Sequence, residues 1–217
     1  MIINWYGEGC FKIQTGGLTI LTDTFESKIG LTPPRGKFDF ELKTLIPWPL
    51  ASQKNNEEGE IIYGAGEYEI KGITVRGFPL LNESSEKFLK TIYKVTAEDI
   101  TLGFFGHISE ELNADAFEIF ADTDIIFLPA GEKPFLNSEN AAKLIKQIKP
   151  KIVVASFFSS GGGSASGGKT PGLKRATADY KALSNEIGQK PEIMEKLTIK
   201  KKELAEQKTM KFIALKI

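Results

Sequence analysis

The sequence predicts a layered α/β (α+β) domain, an αββα sandwich whose two mixed sheets are covered by helices, and three observations carry that reading. Strand-like runs fill the first half of the chain. Strand and helix patterns alternate from residue 100 to 158, and two more strand-like runs close the chain. At 217 residues, with 41% hydrophobic and 26% charged side chains, the chain is long enough for one full-sized core, so a single domain over residues 1–217 is expected.

The elements follow in order. Residues 10–15 and 18–22 read as two strands joined by Gly16-Gly17, a two-residue link that accepts positive φ at both positions and so signals a hairpin. Residues 2–6 add a strand before them. From 25 to 56, Pro33, Pro34, Pro47 and Pro49 break any helix or central strand, leaving a long irregular excursion with one short strand at 43–46. Strand character resumes at 61–63, 68–70 and 73–76, with Lys71-Gly72 as a second tight turn, and 88–95 alternates like a half-buried strand. Then come strand 100–105, helix 110–120, strand 124–129, helix 138–149 and strand 151–158. Ala141, Leu144, Ile145 and Ile148 share one helix face, which Asn137 or Ser138 can cap and Pro150 must end. Ala176, Tyr180, Leu183 and Ile187 form a similar stripe before Gly188. Residues 197–199 and 210–217 are strand-like runs around a polar turn, where Lys200, Lys201 and Lys202 beside Glu203 and Glu206 read as a solvated face.

Charge and composition exclude several functions. Lys plus Arg equals Asp plus Glu at 28 each, so no basic footprint points to nucleic acid. The N-terminus lacks the pattern of a signal peptide and no apolar run is long enough to span a bilayer, so neither nucleic acid nor membrane is expected as a partner and the expected location is cytoplasmic. Cys10 is the single cysteine, which forbids an internal disulfide and reads as a small buried hydrophobe. His107, after the strand at 100–105, is the single histidine. A catalytic zinc needs three protein ligands, drawn mostly from His, Cys and carboxylates.

One motif matches a mechanism by spelling. Gly163 to Thr170 fits G-x-x-x-x-G-K-[ST], with Gly163, Gly168 and Lys169 in the phosphate-cradling positions. A nucleotide-binding switch follows if the helix starts at the lysine. Pro171 directly after Thr170 disfavours that start, and the Ser and Gly content instead reads as a flexible loop at 159–168.

Trp5-Tyr6-Gly7-Glu8-Gly9-Cys10-Phe11, Leu21-Thr22-Asp23-Thr24-Phe25 and the segment Gly64-Ala65-Gly66-Glu67-Tyr68-Glu69-Ile70-Lys71-Gly72 resemble the metallo-β-lactamase superfamily. Within it they are similar to the hydrolases related to ascorbate-6-phosphate lactonase. Lys149 to Val154, Lys169 to Leu173 and Leu197 to Lys201 continue the pattern. The resemblance implies an αββα sandwich whose hydrolysis depends on a metal held by histidines and an aspartate at the strand ends. On that pattern the ligands are gone: Glu8 stands for the first histidine, Pro47-Trp48-Pro49-Leu50-Ala51-Ser52 for the histidine-rich run, His107 for the aspartate, and Phe157 at or near the last histidine.

The leading expectation is therefore a metal-free, catalytically inactive member of that fold, kept as a binding or interaction module, with Glu8, Trp48, His107 and Phe157 marking a vestigial cleft. No catalytic residue and no metal ligand is assigned, and no cofactor. Its partner is unknown; a protein partner or a second copy of the chain fits an interaction module. Phe157, Phe104 or Phe105, and Trp48 are expected to fill the vacated space. The alternative is a hydrolase of the same class with a rebuilt site, in which Glu8, His107 and an acid such as Asp23 or Asp39 hold a weakly bound divalent metal.

Overall fold

A computed structural model describes residues 1–50, 59–130, 133–158 and 180–217. The first half supplies strands β1 (Ile2–Gly7), β2 (Cys10–Thr15), β3 (Leu18–Thr22), β4 (Phe40–Lys43), β5 (Leu45–Pro47), β6 (Glu60–Tyr63), β7 (Gly66–Ile70), β8 (Ile73–Pro79) and β9 (Phe88–Ala97). Then come β10 (Ile100–Phe104), α1 (Ala114–Phe120), β11 (Ile125–Pro129), α2 (Ser138–Ile148) and β12 (Ile152–Ser156). The chain ends with α3 (Lys181–Ile187), β13 (Glu192–Met194), β14 (Leu197–Thr198), α4 (Lys201–Glu206) and β15 (Lys211–Leu215).

The strands form two mixed sheets. One runs β14-β1-β2-β3-β4-β6; the other runs β13-β15-β12-β11-β10-β9-β8-β7, with β5 paired to β9. Local chemistry sets the hairpins. Gly16 and Gly17 take φ of 56° and 79°, and the turn places Thr15 opposite Leu18. Every residue of β11 and β12 is buried, as parallel strands covered on both faces must be. The faces of the two sheets meet ring on ring: Phe11 of β2 sits edge-on to Phe127 of β11, centroids 4.8 Å apart, and Trp5 of β1 stacks on Phe158 just past β12 at 4.4 Å. A continuous hydrophobic cluster joins both sheets to α1, α2, α3 and α4.

Several expectations change in detail. The short strand at 43–46 is two strands in different sheets, β4 and β5, and Thr44 is the residue at which the chain crosses between them. Pro47 does not break β5, because it ends the strand, opposite Phe88. The helix expected from 110 begins at Ala114, since the Asn113 side chain caps it by accepting from Ala116 N at 2.9 Å. The polar turn around Lys200–Lys202 is helix α4, anchored by buried Leu204, and β13 was not foreseen. Of the second helical stripe, Ala176 and the glycine loop with Gly163, Gly168 and Lys169 lie outside the described residues. No helix among the described residues is long and apolar enough to cross a membrane.

Candidate functional site

Past the ends of β3 and β4 in one sheet and of β10 and β12 in the other, the two sheets open into a cavity of about 510 Å³. Its walls are mostly apolar, with Phe25, Ile29, Leu45, Pro134, Phe135 and Phe157, and its polar edges include Glu8, Asp23, Thr24, Lys43, His107 and Lys133. The volume lies in the range of small-molecule sites, roughly 300–1,000 Å³.

The floor is tied together across the sheets. Glu8, in the β1–β2 turn with φ of 50°, offers its carbonyl to Trp5 Nε1 at 3.0 Å and to Phe157 N at 3.1 Å. Phe157 itself takes φ of 52°, an unfavourable setting for a bulky residue that costs about 1–3 kcal/mol. Held there, its ring packs against Phe135 at 4.4 Å and edge-on to the His107 imidazole at 4.9 Å. Gly9 is required beneath it, because a Cβ at that position would lie 2.7 Å from Phe157 Cζ and 3.0 Å from Asp23 Oδ2.

His107 is fixed by a chain of hydrogen bonds. Asp23, at the end of β3, accepts from Thr44 N at 2.7 Å and from the Thr44 hydroxyl at 2.6 Å. Thr44 Oγ1 in turn lies 2.6 Å from His107 Nδ1. The Thr44 hydroxyl thus bridges the Asp23 carboxyl and the imidazole. The other ring nitrogen is Nε2. It has no hydrogen-bond partner among the described residues and is not among the buried unsatisfied atoms, so it opens to the cavity that the ring lines. Gly106 makes this contact possible, since any Cβ there would overlap the Thr44 side chain.

Burial dominates the electrostatics. It holds His107 below its ordinary value, against an upward pull from Asp23, so the ring is neutral near neutral pH. Burial also lifts Asp23, against the downward pulls of His107 and the Thr44 hydrogen bonds. Lys43 is committed elsewhere: its ammonium lies 2.6 Å from buried Glu41 and donates to Thr24 O at 2.9 Å and Thr24 Oγ1 at 3.1 Å. Cys10 is wholly buried, and burial, then Asp23 and Glu41, push its thiol far up, which makes it an inert neutral group.

Among the described residues no group of three or more His, Cys, Asp or Glu side chains is placed to hold a metal ion. The nearest candidates, Asp23 and His107, are turned toward Thr44. Asp39 sits away from the cavity, accepting from Thr19 N at 2.8 Å and Lys71 Nζ at 2.6 Å.

Of the residues singled out in sequence, Glu8, Asp23, His107 and Phe157 line the cavity, but Trp48 and Asp39 do not. Trp48 follows β5, is 45% exposed and lines no part of the site. Of the rings expected there, Phe157 lines the space, whereas Phe104 and Phe105 lie in the core and the space stays open. Sequence reasoning missed Thr44 and Phe135. The one signal for Thr44 was its place among strand residues ahead of a proline-rich stretch, and Phe135 gave none.

Comparison with known proteins adds the fold's kinship. The model of a family described as the Beta-lactamase superfamily domain matches residues 2–156. The chain is 25% identical over 194 residues to a UPF0173 protein of Pyrococcus abyssi (strain GE5 / Orsay), covering 78% of this chain and 89% of that one. Among solved structures, a Thermotoga maritima protein of the metallo-beta-lactamase superfamily superposes with a TM-score of 0.75 at 16% identity, over 100% of both chains. A metallo hydrolase of Ignicoccus hospitalis, Igni18, gives 0.56 at 13% identity over 97% of this chain and 94% of its own. At these identities the structural likeness is one of fold.

Proposed function

Starting from a chain that belongs to the beta-lactamase superfamily, we propose that this member binds a small, largely apolar molecule in the cavity at its strand ends and does not perform metal-held hydrolysis. The observation that carries the reading is the donor set. The two cavity groups best suited to ligate, Asp23 and His107, are joined through Thr44, while six apolar side chains wall a space of about 510 Å³. Metal hydrolysis needs ligands that converge on one point and leave a position open for water. Apolar recognition needs a concave space with few polar groups, which is what supports the binding reading here.

The test is a fluorescence titration with the neutral apolar dye N-phenyl-1-naphthylamine. The wild type is expected to give saturable enhancement that is lost in Leu45→Trp, a substitution that fills the cavity from β5, with unfolding curves confirming that the variant is folded. Absence of saturable binding, or binding untouched by Leu45→Trp, overturns the reading.

A further inference from the structure

His107 Nε2 opens to the cavity, and its hydrogen-bonding sense sorts ligands by class. We infer that the molecule the cavity takes is neutral and flat, with an apolar body and one hydroxyl or N–H donor that bonds to His107 Nε2. The inference rests on the binding reading and adds the chemistry of the ligand's polar end.

The hydrogen bonds run outward from Asp23. Its carboxylate receives both the amide and the hydroxyl of Thr44, so the Thr44 proton is directed away from the imidazole. Thr44 Oγ1 can then only accept from Nδ1, which leaves Nε2 as an acceptor aimed into the cavity. Phe157 fixes the ring's plane from one side by its edge-on contact at 4.9 Å, and Phe135 lies 6.1 Å away. An acceptor held in one tautomer and one plane rejects a ligand that offers only another acceptor, because burying two lone pairs against each other leaves both unpaired.

Charge at the inner end points the same way. An anionic head would need a cation. His107 is neutral there, and the Lys43 ammonium is already matched by Glu41 at 2.6 Å and by two oxygens of Thr24. The Asp23 carboxyl, 3.9 Å from His107 Nδ1, also lines the cavity and supplies no positive charge. Lys133 is exposed among the lining residues, so it gives no desolvated cation for a head group to reach. The body of the ligand is set by Phe25, Phe135 and Phe157, whose rings favour stacking or edge contact with a flat apolar partner.

Three probes of similar size test the class by isothermal titration near neutral pH: 2-naphthol, a neutral donor; 2-methoxynaphthalene, which keeps the oxygen and lacks the proton; and 2-naphthoate, an anion. The expected order puts 2-naphthol about fivefold or more tighter than 2-methoxynaphthalene, the size of one net neutral hydrogen bond, with 2-naphthoate weakest. In His107→Phe, which keeps a ring and removes the acceptor, the ratio of the first two falls to about one. Equal affinities in the wild type, tighter binding of the anion, or a donor preference that survives His107→Phe overturns the inference. If N-phenyl-1-naphthylamine binds while the donor preference is missing, the ligand class alone is wrong; if none of the four compounds binds, the binding reading fails with it.

Discussion

Thr44 links the two sheets and the imidazole through one hydroxyl, which makes it the residue whose loss is felt furthest. Thr44→Val preserves shape but leaves Asp23 Oδ2 without its donor and His107 Nδ1 without its acceptor, at an expected cost of about 1–3 kcal/mol in urea unfolding. A cost near zero would mean that water replaces the hydroxyl and that the imidazole is not held. Phe157 makes a different contribution. Only 6% exposed, its ring fills the floor of the site, yet the void left by Phe157→Ala would merge with the existing cavity. The expected loss is about 3 kcal/mol, the low end for an emptied aromatic site. The pH dependence follows from His107. Its folded value is depressed below the ordinary 6.5, chiefly by burial, so the unfolded chain takes up the proton first. The stability that the neutral ring contributes is present above 6.5 and is lost as pH falls through the depressed value. Asp23, raised above 3.8 by burial, has the opposite sense: its contribution is present at low pH and lost as pH rises through the raised value. Replacing the ring isolates the first effect, so the stability gap between wild type and His107→Gln should narrow as the medium is acidified below 6.5.

At the scale of elements, the turn after β10 carries His107, and a buried carboxylate holds the segment that follows it. Glu83 Oε2 accepts from Ser109 N at 2.6 Å, from the Ser109 hydroxyl and from Lys90 Nζ at 3.0 Å, while Oε1 accepts from Glu110 N at 3.2 Å. With Glu83 removed, Lys90 would keep its charge in a largely buried setting, with the Ser109 hydroxyl as its remaining partner. Glu83→Ala is therefore expected to cost about 3–5 kcal/mol and to weaken dye binding in the cavity, since the loop bearing His107 loses its anchor. Unfolding curves and the fluorescence titration measure the two effects separately. This scale also shows what sequence can reveal. The Gly16-Gly17 hairpin and the stripe on α2 were legible because their signals are local: positive φ at two glycines, and apolar residues at one face of a helix. The split of β4 from β5 was hidden because a crossing between sheets depends on which partners the strand finds, and Thr44 alone marks it. Helix α4 was hidden by its charge, with Leu204 as its single buried residue.

On the scale of the whole molecule, the αββα architecture follows from order alone, with strands first, strand and helix alternating next, and strands again at the end. The candidate site was legible in part. Glu8, His107 and Phe157 could be named because the resemblance to the superfamily sets them at its ligand positions, whereas the bond between Thr44 and His107 joins positions 63 residues apart and only the fold brings them together. The unfilled cavity was not foreseen for a related reason: Phe104 and Phe105 point into the core that supports the site, and Trp48 stays outside it. The account's central claim is that this superfamily member holds a ligand pocket where the fold would otherwise organise metal ligands. The direct measurement is the zinc content per chain of protein purified without chelator and dialysed, paired with its melting temperature before and after zinc is added. The account expects far less than one equivalent of zinc and no rise in melting temperature of the size that tight binding to the folded state produces. One equivalent retained through dialysis, with a melting temperature that falls when it is stripped, would contradict the account.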